Sequence, residues 1–377
     1  MLLLKHNCIN ISGHVTAACI SLQICLQKEL LWLACRHHVG EVLLTHVWNA
    51  LKIETSKSPE VKLFARFRDQ FNNIAINKAN FCFVSFENDI SHIIRQLTTA
   101  LSSEDCYRGD YKELLILSLV FLTKETESLN IAAPGALHHA RWMAKLLYAM
   151  KMVLLSKQIP KELGVFAAGQ LSKLQRFVRF ILLVYVPWWI TCTHPADAPV
   201  NDLQLLRSIQ SYNDEVISTS ALKAFRNHLW YLTEELVPLS LFSKLVTTED
   251  KQGMLNKLLS DGMRKSNTQP TRHFQKRYGT SYGKPAFPAI ENTSTLDSLV
   301  GQDSWGFFHT LKIDVSFLET PVNEWEASEA YKAARNLVAQ LKVVNDSAER
   351  GVKLGLDFMG TAKIEERYQH VLQVTLK

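Results

Sequence analysis

Cys35, His37, His38 and His46 are clustered side chains that could ligate a metal or carry a proton. Cys35-Arg-His-His38 closes a short apolar run, Leu30 to Ala34. An apolar-periodic stretch follows at once, with Val39, Val42, Leu43, Val47, Ala50 and Leu51 on one helical face. Cys-x-x-His spacing offers half of a tetrahedral zinc site. The other half needs two more ligands, and no second Cys-x-x-Cys or His-x₃-His pair occurs. A small metal-dependent nuclease using Cys35, His37 and His38 is one reading of this corner. The other is plain packing, with Cys35 as a small hydrophobe and the histidines hydrogen-bonded at a strand end.

Further candidates lie downstream. His138-His139 is followed by Arg141 and Trp142, and Arg141 could contact a phosphate or carboxylate or simply be solvated beside a capped helix. Trp188-Trp189, after Pro187, forms either a stacking platform or a buried aromatic corner. From Gly262 to Pro288 the chain loses its apolar period. There Arg264, Lys265, Arg272, Lys276, Arg277 and Lys284 are interleaved with Phe274, Tyr278 and Tyr282. Cations neutralise phosphates and aromatic rings stack on bases, so this loop points to nucleic acid, against the alternative of a solvated loop without function. Glu349 falls in a first helical turn after Asp346-Ser347, where the helix dipole alone favours an acid.

Other chemistries are excluded from the front rank. The sequence has no Gly-x-Gly-x-x-Gly, no P-loop and no Gly-x-Ser-x-Gly elbow. With 377 residues, 47% hydrophobic and 21% charged, the chain is of globular composition. Its length suits two or three domains, or one domain with a large insertion. A net charge of +6 permits an anionic partner without requiring one. Seven scattered cysteines suit a reduced, intracellular compartment better than a disulfide framework. The most membrane-like run, Phe180 to Cys192, is shorter than the roughly 20 residues a bilayer needs and contains Pro187, so it reads as a buried helix.

The elements that must position these residues are nearly all helical. Leu30–Ala34 reads as a strand that enters a helix, preceded by a helix over 14–26, while the first ten residues carry no clear pattern. Ser58-Pro-Glu60 is a helix start. Phe81–Phe86 could form a short strand. Helices are expected at about 87–101, 111–122, 136–155, 172–185, 201–212 (capped by Asn201 or Asp202), 218–236, 248–259 and 324–343, with 305–317 ambiguous. A last helix begins at Ala348. No fixed repeat is visible.

Two stretches at opposite ends resemble a known family. Leu31-Trp-Leu-Ala-Cys-Arg-His-His38, followed by an apolar helix, resembles the Cys-x-x-His element of hAT-superfamily transposases, which precedes a large helical insertion. Asp346-Ser-Ala-Glu-Arg350 resembles the block that supplies that family's last catalytic acid. Gly135–Lys145 and Asn227–Leu236 look like stretches of hAT-like transposon proteins of animal genomes.

The resemblance implies a mainly α chain, a helical insertion domain attached to a partial RNase H-like α/β core. Residues 12–53 would form part of the core, 54–322 the insertion with its basic loop at 262–288, and 323–377 the return. It implies ancestral DNA cleavage and strand transfer by three carboxylates that hold two Mg²⁺ or Mn²⁺ ions. Glu349 would be the third carboxylate and Cys35 and His38 the family motif, while Arg264, Lys265, Arg272, Lys276, Arg277 and Arg141 would contact DNA. The family's first two acids lie upstream of the Cys-x-x-His element, and here no Asp or Glu precedes Glu29. The family's amino-terminal zinc-finger-type module is also not seen. One carboxylate cannot hold two hard cations. The chain is therefore expected to lack the early sheet strands, to bind no catalytic metal and to leave DNA uncut. DNA would be its partner and the nucleus its location, with homo-oligomer formation open and neither a membrane nor a small-molecule substrate implied. The competing reading is a helical protein-interaction scaffold with no nucleic-acid role.

Overall fold

The computed structural model describes residues 2–5, 25–26, 30–53, 61–87, 89–102, 109–127, 129–134, 142–160, 166, 169–226, 230–261 and 294–344. The chain is mainly helical. Its described strands are β1 (Leu2–Lys5) and β2 (Leu31–Ala34), paired in parallel with Leu2 opposite Leu31 and Lys5 opposite Ala34. The strand expected before the Cys-x-x-His corner is present, while the first residues, expected to carry no pattern, form an upstream strand paired with it. Leu2-Leu-Leu4 is a short apolar run of the kind a two-sided parallel strand needs. Parallel pairing requires a crossover, and Cys25 and Leu26 are helical within it. The rest of the helix expected over 14–26 lies outside the described residues.

β2 is buried along its whole length and leads directly into α1 (Arg36–Ala50). The helices that follow are α2 (Lys62–Gln70), α3 (Ser91–Ser102), α4 (Gly109–Thr123) and α5 (Trp142–Leu154). Ser58–Glu60 and residues 135–141 lie outside the described residues. Phe81–Phe86 is irregular rather than a strand, its Cys82 amide taken by the Leu154 carbonyl at 2.8 Å. Asp89 starts α3 by accepting the amide and the hydroxyl of Ser91 at 2.9 and 2.6 Å.

A buried helical run then crosses the core. It consists of α6 (Gln170–Phe180), a π-helical turn (Ile181–Tyr185) and α7 (Val186–Trp189). Pro187 has no amide hydrogen to give the preceding turn, and the wider π turn lets the helix pass it without breaking.

α8 (Ala198–Gln210) starts earlier than expected, with Pro199 in its first turn. Asn201 and Asp202 are therefore buried inside it rather than capping it. α9 (Glu215–Arg226) packs along α1, with the Ser220 hydroxyl donating to the His46 carbonyl at 2.9 Å. Of the helix expected over 218–236, α9 is described as far as Arg226, residues 227–229 lie outside the described residues, and 3₁₀ turns cover Trp230–Leu232 and Val237–Phe242.

α10 (Thr248–Asp261) is capped by Thr247, whose hydroxyl accepts the Asp250 amide at 3.1 Å. The ambiguous stretch after residue 304 is helical, α11 (Ser304–Leu311), and stops where Lys312 turns left-handed at φ 54°. α12 (Glu329–Ala339) begins at Ser328, which accepts the Tyr331 amide, and ends before the expected Val343. One continuous buried cluster runs from Leu31 to Val343.

Candidate functional site

The corner after β2 is where elements distant in sequence meet. Cys35 occupies the N-cap position of α1 in extended conformation (φ −67°, ψ 112°), and its side chain makes no cap bond. It is 2% exposed and faces the core. The next side chain decides the geometry. Arg36 stands in the first turn of α1, where the helix dipole disfavours a cation, and yet it is buried.

Its guanidinium gives one N–H to an Asp202 carboxylate oxygen (Nη2 to Oδ1, 2.6 Å) and another to the Thr191 carbonyl (Nη1, 3.1 Å). The same Asp202 oxygen accepts the indole N–H of Trp188 at 2.9 Å. The guanidinium carbon lies 5.3 Å from the centre of the Trp188 ring and 5.7 Å from that of Tyr231, within cation–π range. Tyr231 in turn donates its hydroxyl to the Ala34 carbonyl at 2.6 Å. Burial alone would lower the guanidinium pKa, but the Asp202 carboxylate together with Cys192 and Tyr231 more than reverses this and raises it. Burial also pushes the neighbouring Cys192 thiol up to about 12, against the opposing pull of Arg36.

Gly40, one turn further along α1, makes room for this arrangement. A Cβ there would lie 2.5 Å from Cζ3 of Trp188. Arg36 and Gly40 are four residues apart and share a helix face. One presents a charge and the other a vacant surface to the same indole. The last contact is on the backbone, where the Arg36 amide donates to the Val343 carbonyl at 2.9 Å. Leu341 to Val343, expected as helix, are irregular, and Leu341 to Val344 alternate between buried and more exposed.

The histidines lie on the outer side of α1. His37 stacks on Trp189 with ring centres 5.4 Å apart and meets Tyr111 edge-on at 6.0 Å. Nδ1 of His38 is 3.3 Å from Oε2 of Glu41, with both side chains about a third exposed. Burial holds the Lys145 ammonium below its ordinary range, against the pull of Glu41. Cys35 thus faces inward while His38 turns toward Glu41. Among the described residues no three His, Cys, Asp or Glu side chains are placed to hold a metal. Of the paired tryptophans, Trp188 and Trp189 are both buried, at 5% and 7% exposure, and form the aromatic corner rather than an open platform.

Glu349, Arg141 and the loop residues Arg264, Lys265, Arg272, Lys276 and Arg277 lie outside the described residues. The two flanks of that loop are described. The Asp261 carbonyl accepts from Gln302 at 3.4 Å, the Leu258 carbonyl from the Trp305 indole at 3.2 Å, and the Ser294 carbonyl from Arg207 at 2.7 Å. Arg207 belongs to α8, five residues beyond Asp202 and about 7.5 Å further along the axis. No family model, curated protein or solved structure matches the chain. Among the described residues no helix is long and apolar enough to cross a membrane.

Three residues of this corner carry no motif that would mark them in the sequence: Arg36, Asp202 and Tyr231. A weaker signal was present for one of them. Asp202 shares a helix face with Ala198, Leu205, Leu206 and Ile209, and a carboxylate on an apolar stripe asks for a buried partner.

Proposed function

We propose that this chain is a transposase-derived protein of hAT-like type that associates with DNA and does not cut it. It would be the later portion of an RNase H-like core wrapped around a helical insertion. The observation that carries this reading is the bond from the Arg36 amide to the Val343 carbonyl. After a long helical excursion the chain comes back to the end of β2, as the resemblance requires of a segment that leads to Glu349. Glu349 lies six positions beyond Val343, at most about 21 Å of extended chain. The parallel pairing of β1 with β2 supports a sheet at this point. The root of the basic loop on α8 also supports the reading, because the helix that holds the corner carries one flank of the loop.

The test is DNA binding by the whole chain across a salt series. The slope of log affinity against log salt is expected to be negative. It should become shallower when Arg264, Lys265, Lys276 and Arg277 are neutralised, by up to about 3.6 at about 0.9 for each phosphate left without its cation. Absence of binding at low salt would overturn the reading in favour of a helical interaction scaffold. Incubation of labelled duplex with Mg²⁺ or Mn²⁺ is expected to leave it intact. Cleavage abolished by Glu349→Ala would refute the inactive assignment.

A further inference from the structure

Arg36 and Asp202 form an ion pair whose side chains are 1% and 4% exposed. Apolar residues of similar volume are often as stabilising as a buried pair, or more so, so a stability gain does not explain a charge pair here. Direction does. A guanidinium is a planar fork whose donors accept partners only in set directions; here Nη1 and Nη2 are bonded, while Nε is buried without a hydrogen-bond partner among the described residues. Apolar contacts have no such requirement. The elements that carry the pair bury apolar side chains, Ala34, Val39 and Leu43 at the corner and Leu203, Leu205 and Leu206 on α8. Such surfaces fit in more than one seating. The fork fits one, because it takes the Thr191 carbonyl and the Asp202 carboxylate together while that carboxylate also holds the Trp188 indole.

We propose that the Arg36–Asp202 pair is a register lock. It selects one seating of the corner on α8 and, through the backbone amide of the same residue, one seating of the returning chain at Val343. Its contribution to global stability is small by comparison. The Arg36 amide is a reporter in its own right, since its acceptor is Val343 and not a residue of its own helix. The lock does not depend on the DNA reading and is tested without nucleic acid.

The experiment is native-state amide hydrogen exchange on the whole chain. In Asp202→Asn, which keeps the side chain's shape and removes its charge, the Arg36 amide is expected to exchange at least about tenfold faster. That factor is measured relative to any change at the amides of Phe307 and Phe308 in α11, which report global opening. In the double variant Arg36→Met/Asp202→Leu the thermal midpoint is expected to stay close to the native one while the amide at position 36 remains fast. Equal acceleration at all amides in Asp202→Asn would overturn the proposal, as would native protection at position 36 in the double variant. If neither variant folds, the pair is a requirement of global stability and the proposal fails as well.

Discussion

Replacing Gly40 by alanine would place a methyl carbon 2.5 Å from Cζ3 of Trp188 and 3.0 Å from Cε2 of Tyr185. In an open helix the same change is favourable by about 1 kcal/mol, because alanine loses less backbone freedom. Here the indole has to give way, and it is held on three sides. Its N–H is bound to Asp202, the Arg36 guanidinium lies over its ring, and Gly40 backs it. Overpacking costs about 1–3 kcal/mol, and a loosened hydrogen bond to a carboxylate costs about 1.5–3 kcal/mol more. The net expectation is a loss of about 1.5–5 kcal/mol.

Gly306 in α11 is the internal control, since a Cβ there meets nothing within 4 Å. Gly306→Ala is expected to stabilise by about 0.5–1 kcal/mol. Urea unfolding reads both, with the midpoint moving down for Gly40→Ala and up for Gly306→Ala at unchanged slope. In a Trp188→Leu background the Gly40→Ala penalty should largely vanish, which makes the coupling between the two positions measurable. A Gly40→Ala midpoint at or above that of the unmodified chain would refute the reasoning. It would mean that the indole moves freely and that the corner is not rigidly built.

Three further outcomes are expected. Tyr231→Phe removes the hydroxyl that reaches the Ala34 carbonyl and leaves that buried oxygen short of a donor. It should cost about 1–3 kcal/mol in urea unfolding, and a change within error would show that the bond is dispensable. Burial alone would raise the Asp214 pKa, but the hydrogen bonds from Arg176 and the Ile217 amide more than offset this and leave it below the usual carboxylate range. Its stabilising effect is therefore complete above the unfolded value of about 3.9 and is lost as pH falls through the lower folded value. Asp214→Asn should flatten the acid limb of a stability-against-pH curve, and an unchanged limb would contradict the assignment. Among the described cysteines, exposed Cys25 should react with an alkylating reagent in the native protein, while buried Cys35 and Cys192 should react only on unfolding. Mass spectrometry of native and urea-treated samples separates the two cases.

Helices whose apolar spacing has a single interpretation are legible in the amino-acid pattern alone, α1, α3, α4 and α10 among them. The misreadings occur where a tertiary partner overrules the local pattern. Asp202 looks like a helix cap because capping is what an isolated Asp does best. Inside the fold it answers Arg36, and α8 starts four residues earlier. Leu341 and Val343 continue the helical spacing of α12 and also suit alternation. The Arg36 amide, which needs an acceptor at Val343, decides for extended chain. Arg36 itself carries no local mark of burial, since its partners are 155 and 166 residues away. The Cys-x-x-His spacing lies at the corner that Arg36, one of the two residues between Cys35 and His38, organises.

The loop flanks carry a consequence for the chain as a covalent object. Asp261 and Ser294 are each seated by a bond to another part of the protein. Phe242, which precedes residues 262–293, packs against Phe307, Phe317 and Tyr331, which follow them. These contacts between described residues join the two sides without the peptide link through 262–293, so a chain cut in that interval would become two pieces with complementary packing surfaces. The protein would then be a natural candidate for a split pair.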